Sequence, residues 1–227
     1  MLQSKTRTIV CIAPHPDDET LGCGGTLLKH IENGDSVHWI VVTEMSADLG
    51  FSRESIDQRH KEIMDVADAY GFNSVHRLGF PAMRLDTVSM LDLVDSIGNV
   101  LQTTSAETIY IPFRNDAHTD HGAVFDASVA CTKVFRYPSI KSVIAYETIS
   151  ETEFGLKPEN TGFKPNLFID INGHLDQKIE IMGLYKEEMA EFPFPRSDVT
   201  IKALAQLRGS QTGSLAAEAF MLLKEIR

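Results

Sequence analysis

Up to Glu147 the apolar positions follow two alternating rhythms. Short β-rich runs fall at Thr8–Ala13, Ser36–Thr43, Ser74–Leu78, Thr108–Ile111 and Ser142–Tyr146. Between them lie segments with helical spacing. Arg53–Tyr70 carries Ile56, His60, Ile63, Ala67 and Tyr70 at three- and four-residue steps, with Gly71 placed to end the helix. Val88–Leu101 and Gly122–Arg136 show the same spacing, and a helix over Thr20–Asn33 stops at Gly34. Strand, helix and strand repeated in this order predict right-handed βαβ units around a mostly parallel sheet. Ile9–Ala13 and Ile40–Val42 are apolar without interruption, as strands covered on both faces should be.

After Glu147 the rhythm changes. Ser150–Pro165 is polar, with Gly155, Pro158, Gly162 and Pro165, and predicts a long loop that forms a rim or an oligomer contact. Asn166–Ile171 predicts one more strand. From His174 onward the pattern predicts a helical extension, broken at Phe192–Pro195. No internal repeat and no low-complexity segment appears. The expected fold is therefore α/β, a mostly parallel sheet flanked by helices with a C-terminal helical extension, and the 227 residues form a single domain, 1–227.

Composition narrows the partners. Lys and Arg total 21 against 32 Asp and Glu, a net charge of −11. That balance argues against nucleic-acid or anionic-membrane binding, which need a basic footprint. No stretch reaches the roughly 18 apolar residues of a membrane span. The apolar run after the polar start is too short for a signal-peptide core, so a soluble cytoplasmic protein is expected. The three cysteines, Cys11, Cys23 and Cys131, lie in apolar stretches without a C-x-x-C pair, and predict buried thiols rather than a disulfide framework.

In open parallel sheets ligands bind beyond the carboxyl ends of the strands. Two of the loops expected there carry concentrated chemistry. The first is Ala13-Pro14-His15-Pro16-Asp17-Asp18-Glu19. A capping Asp, or acids favouring a helix dipole, would explain one or two of these carboxylates. They do not explain a histidine held between two prolines beside adjacent acids, which repel unless a cation sits among them. His nitrogen and carboxylate oxygen are both zinc ligands, and His15 and Asp18 can converge on one ion. Asp17 would then face the cavity as a general base for metal-bound water. Glu19 fits a supporting or helix-starting role. The glycines of Gly22-Cys23-Gly24-Gly25 depart from a dinucleotide fingerprint and predict close packing of this helix.

The second loop is Arg114-Asn115-Asp116-Ala117-His118-Thr119-Asp120-His121, which holds two of the eight histidines. One of them would complete a three-ligand site, leaving the other free as acid or electrophile. His30, His38, His60, His76 and His174 lack such neighbours and are expected at the surface or half-buried.

Through the motifs A-x-H-P-D-D-E and H-x-D-H the sequence resembles the LmbE-like, or PIG-L, de-N-acetylase family. Looser similarities are Arg59 with Glu62, Tyr146-Glu147, and Ala217-Glu218-Ala219-Phe220. The resemblance implies a Rossmann-like fold and release of acetate from an N-acetylated amino sugar, with Zn²⁺, or Fe²⁺, as cofactor. It implies that His15, Asp18 and His121 hold the metal and that Asp17 is the base. It makes His118 the group that stabilises the oxyanion or protonates the leaving amine, with Asp120 orienting it. It also implies a homo-oligomer, a trimer or hexamer.

Substrate residues are less marked. Asp86 is a candidate for sugar hydroxyls, and Arg53 and Arg84 for a carboxylate or phosphate. Two other readings compete: an amidase acting on a different amide, and a non-catalytic sugar- or nucleotide-binding module. The complete set of His15, Asp17, Asp18, His118 and His121 argues against the binding module.

Overall fold

The structure is a computed structural model that describes residues 6–156 and 161–227. Lys157, Pro158, Glu159 and Asn160 of the expected Ser150–Pro165 loop fall outside the described residues.

The alternating part of the chain folds as its pattern predicts. It runs β1 (Thr8–Ala13), α1 (Asp18–Glu32), β2 (Ser36–Glu44), α2 (Arg53–Tyr70), β3 (Ser74–Pro81), α3 (Met90–Thr104), β4 (Thr108–Pro112), α4 (Thr119–Ala130) and β5 (Ser142–Tyr146). Then come β6 (Leu167–Asp170), α5 (Leu175–Met182), α6 (Asp198–Ser210) and β7 (Ala217–Glu225). Among the described residues the strands form one seven-stranded sheet in the order β3-β2-β1-β4-β5-β7-β6. β1 through β5 pair in parallel, while β7 runs antiparallel to both β5 and β6.

Parallel strands that point side chains alternately to two covered faces need apolar residues at every position. In β1, Ile9, Cys11 and Ala13 enter a core with Trp39, Val66 and Tyr185. Val10 and Ile12 enter a second core on the opposite face, with Leu93, Ile97 and Val124. All three cysteines are free and buried.

Two element predictions are corrected. The helix from Gly122 toward Arg136 ends at Ala130, in a turn capped at Cys131. More consequentially, the end of the C-terminal helical extension is a strand. The sequence AEAFMLLKE is composed of helix formers. It nevertheless adopts β7 because β5 and β6 offer it hydrogen-bonding edges on both sides, and pairing in the sheet overrides local propensity.

β7 also shapes the first helix. α1 is kinked at Cys23 (φ −144°, ψ 20°), which frees backbone groups on either side of the break. Buried Glu218 of β7 accepts from Gly25 N–H at 2.9 Å and Thr26 N–H at 2.8 Å. Lys178 of α5 pairs with Glu218 at 2.7 Å and donates to the Leu21 carbonyl at 2.9 Å. A buried ion pair persists only when its remaining hydrogen bonds are satisfied in this way. The glycines here serve close approach. A Cβ on Gly22 would overlap the Tyr146 ring, and one on Gly25 would lie 2.8 Å from Ile171. We therefore expect Gly22→Ala to cost about 1–3 kcal/mol, the usual penalty for overpacking a filled core. Urea unfolding checks this; unchanged stability would show that the Tyr146 contact yields freely.

Candidate active site

The sheet order reverses between β1 and β4, the edge at which open α/β sheets bind ligands. A cavity of about 320 Å³ opens there. The carboxyl end of each of the five parallel strands, with the loop after it, contributes to the lining: His15–Asp18, Glu44 and Met45, Ala82 and Met83, His118, and Thr148, Ser150 and Glu151. Arg59 of α2, with Glu188 and Arg196 from the segment between α5 and α6, closes the remaining side.

The first loop is pinned to the end of β2, since Thr43 donates to the Pro14 carbonyl through N–H at 3.0 Å and Oγ1 at 2.8 Å. Asp17 caps α1 with φ 126°, a conformation that L residues rarely adopt, and its N–H donates to Glu19 at 3.1 Å. Glu19 is fully buried and also accepts from Tyr185 Oη at 2.8 Å, a supporting position rather than one in the cavity.

Asp18 is the centre of the cluster. Its Oδ2 lies 2.9 Å from His15 N, 3.2 Å from His15 Nδ1 and 3.3 Å from His121 Nε2. The far nitrogen of each histidine rests on another carboxylate. His121 Nδ1 is 2.8 Å from Asp116, itself held by Thr152 Oγ1 at 2.7 Å. His15 Nε2 is 3.0 Å from Asp120, which also accepts from Met83 N–H at 2.8 Å and Leu85 N–H at 3.1 Å. Ligand histidines are oriented in this way, with the second ring nitrogen on a carboxylate.

The Asp120 carboxylate therefore orients His15 rather than His118, from whose Nδ1 it stands 4.0 Å away. What His118 Nδ1 receives is the Asp120 backbone N–H, at 3.1 Å. That contact makes Nδ1 an acceptor and leaves the ring proton of neutral His118 on Nε2.

The electrostatics divide the two adjacent acids. Burial, the Asp18 charge and Glu188 push the Asp17 carboxyl well up, against the pull of Arg196, whose Nη1 is 3.2 Å away. Asp18 is held far below the usual range despite its burial, because His121 and His15 surround it. One carboxylate stays ionised while its neighbour is shifted toward the protonated form, a division characteristic of acid–base sites. His118 falls to about 4, through burial and the neighbouring His15 charge, and is neutral at pH 7.

Among the substrate candidates, none lines the cavity. Arg53 has a side chain 95% exposed and meets Asp57 at 3.8 Å. Arg84 and Asp86 are exposed on the loop after β3. Half-buried His60 does line it, 3.9 Å from Glu44. The residues that sequence reasoning passes over are Glu151, Glu188 and Arg196; Asp116 enters there only as an acid of the second loop, without a role, and Arg59 only as a similarity. Arg59 bonds to Glu188 and Glu62, and Arg196 Nη2 meets Glu188 at 3.0 Å. A signal existed for Arg59 and Glu62: both fall on the apolar stripe of α2 with Ile63, Val66 and Tyr70. Nothing local marks Glu188 or Arg196.

A Rossmann-like sheet with a His/Asp cluster at its switch point defines the class. Within that class, the model of the PIG-L family, described as GlcNAc-PI de-N-acetylase, matches residues 10–132, and the chain belongs to that family. A relative, the diacetylchitobiose deacetylase of Thermococcus kodakarensis, is 22% identical over 93% of this chain and 81% of its own. Among solved structures, the conserved protein TT1542 from Thermus thermophilus matches with a TM-score of 0.78 and 24% identity, covering 96% of each chain. The 4-carboxy-2-hydroxymuconate hydratase of Pseudomonas putida KT2440 matches at 0.72 and 18%, covering 98% of each. The fold thus also occurs in a protein named for a different reaction, and the activity has to be argued from the site.

The donor set fits a metal ion. Ligand atoms of His15, Asp18 and His121 lie within 4.8 Å of one another, and both histidines are oriented by carboxylates. Two imidazoles and one carboxylate suit Zn²⁺ or Fe²⁺. Asp116→Asn should therefore weaken metal affinity about 10–100-fold without unfolding the protein. Competition against a chromophoric chelator measures this, and unchanged affinity would remove Asp116 from the support of His121.

Proposed function

We propose that this protein is a metal-dependent hydrolase that removes the acetyl group from an N-acetylated amino sugar. The observation that carries the reading is the pairing of the His15, Asp18 and His121 cluster with Asp17, a neighbouring carboxylate of raised pKa facing the same cavity. Family membership supports an enzyme acting on an amide bond. In this reading the whole chain, 1–227, works as one unit, because β7 braces the helix that carries Asp18.

His15, Asp18 and His121 would hold Zn²⁺ or Fe²⁺. Bound there, the ion would supply Lewis acidity toward the amide carbonyl and lower the pKa of water toward about 7. Asp17 accepts the proton of the attacking water, its carboxyl raised enough to retain it briefly. Arg196 holds the Asp17 carboxylate in place, donating to it from Nη1 at 3.2 Å. His118 presents Nε2–H to the carbonyl oxygen as negative charge develops there, and its neutral ring suits a hydrogen-bond donor. Asp17 then returns its proton to the departing nitrogen as the C–N bond breaks, leaving acetate and a free amine. This role for Asp17 relieves His118 of protonating the amine, for which its low pKa is poorly matched.

Metal-reconstituted protein should release acetate from at least one member of a panel of N-acetyl amino sugars, and less product from the same sugars bearing bulkier acyl groups. Faster cleavage of the bulky amides would favour an amidase. Failure to bind any transition metal would overturn the reading altogether. Asp17→Asn should keep the metal and lose roughly 10²–10⁴-fold in turnover, the usual contribution of a general base. Near-full activity in that variant would exclude Asp17 as the base.

A further inference from the structure

The cavity wall beyond the His/Asp cluster has an unusual backbone. Four non-glycine residues among those described have positive φ, and three of them line the cavity: Asp17, Met83 (φ 62°) and Ser150 (φ 74°). Such backbone is retained where the surrounding contacts over-determine it, commonly at functional sites. For Met83 the contact is explicit: its N–H donates to the Asp120 oxygen that also meets His15 Nε2. The side chain so placed is a flexible thioether, 56% exposed, in a region where a glycine or asparagine would be unstrained. Half-buried Met45 and Phe51 line the same cavity.

Charge points the same way. Both guanidinium groups in the lining are engaged by carboxylates: Arg59 by Glu62 and Glu188, Arg196 by Asp17 and Glu188. Glu44 and Glu151 add two further acids to the wall. Arg77, the partner of Glu44 at 2.7 Å, lies outside the lining, as do Arg53 and Arg84. Among the described residues, an anionic substituent entering here would meet carboxylates and two guanidinium groups already paired with them, Arg196 keeping only its buried Nε without a partner, whereas an apolar one would meet two methionines and a phenylalanine.

We propose that Met83, with Met45 and Phe51, is a specificity platform that selects N-acetyl amino sugars bearing a neutral, apolar aglycone over those bearing a phosphate or carboxylate. This rests on the deacetylase reading and names the substrate class for it.

The test compares phenyl N-acetyl-β-glucosaminide with N-acetylglucosamine 1-phosphate on the metal-loaded full chain. Binding is measured by calorimetry, and acetate is assayed in the same samples. The phenyl glycoside should bind at least tenfold more tightly. Met83→Gly should reduce that ratio to threefold or less by weakening the phenyl glycoside, while the thermal midpoint stays level or rises, because glycine suits the left-handed backbone. Met83→Asn, which also tolerates this conformation, should behave alike. A purely structural Met83 would instead lower the midpoint and leave the ratio untouched. Equal or tighter binding of the phosphate, an unchanged ratio in both variants, or no binding of either glycoside would overturn the platform. Acetate release without the preference would overturn the platform and leave the deacetylase reading standing; the preference without acetate release from any member of the N-acetyl amino sugar panel would do the reverse.

Discussion

Asp18 Oδ2 lies between an imidazole that follows β1 and another in the first turn of α4, and it also holds the backbone of the β1 loop. The rest of the site is arranged around this one carboxylate. The meeting is possible only because β1 and β4 are neighbours in the sheet while their helices leave on opposite faces. Removing charged or polar groups from water is costly unless each finds a partner. The surrounding acids meet this demand in pairs: Asp120 takes the far side of His15, and Asp116 the far side of His121. The cluster is therefore a network in which every ring nitrogen of His15 and His121 is engaged, and its arrangement follows from the order of the strands.

Strain collects around the same point. Asp17, Met83 and Ser150 adopt backbone conformations that cost of order 1–3 kcal/mol each, and they occupy three separate loops that meet at one cavity. Such conformations survive because a rigid frame surrounds them. The frame is the doubly covered sheet together with the brace at the α1 kink, where Glu218 and Lys178 satisfy the backbone groups freed at Cys23. A strand and a helix distant in sequence thus hold the helix that presents Asp18.

Much of this is legible from the sequence. Uninterrupted apolar runs announce strands buried on both faces, and Ile9–Ala13 of β1 and Ile40–Val42 of β2 bear this out with complete burial. The acids and histidines of the two loops are dense enough to reveal a site, since no structural need gathers so many ionisable groups in a few residues. The partner of Asp120 is not legible, because H-x-D-H places it next to His118 in sequence; in space its carboxylate turns to His15 and to the amides of Met83 and Leu85. Arg53, Arg84 and Asp86 are candidates by residue type alone, and type does not say which side of a loop faces a cavity. Glu188 and Arg196 carry no local pattern and reach Asp17 only through the packing of the segment between α5 and α6.

By itself the sequence determined the local periodicities, the alternation of strands and helices, and the chemistry concentrated beyond two strand ends, because each of these is written within a few residues. The tertiary structure alone decided three things: that AEAFMLLKE is a strand, that Asp120 belongs to His15, and that Arg59, Glu188 and Arg196 gather beside Asp17. Each depends on partners far away in the chain. A hydrogen-bonding edge, a counter-charge and a cavity wall exist only once the sheet has brought them together, and local propensity carries no information about which of them a side chain will meet.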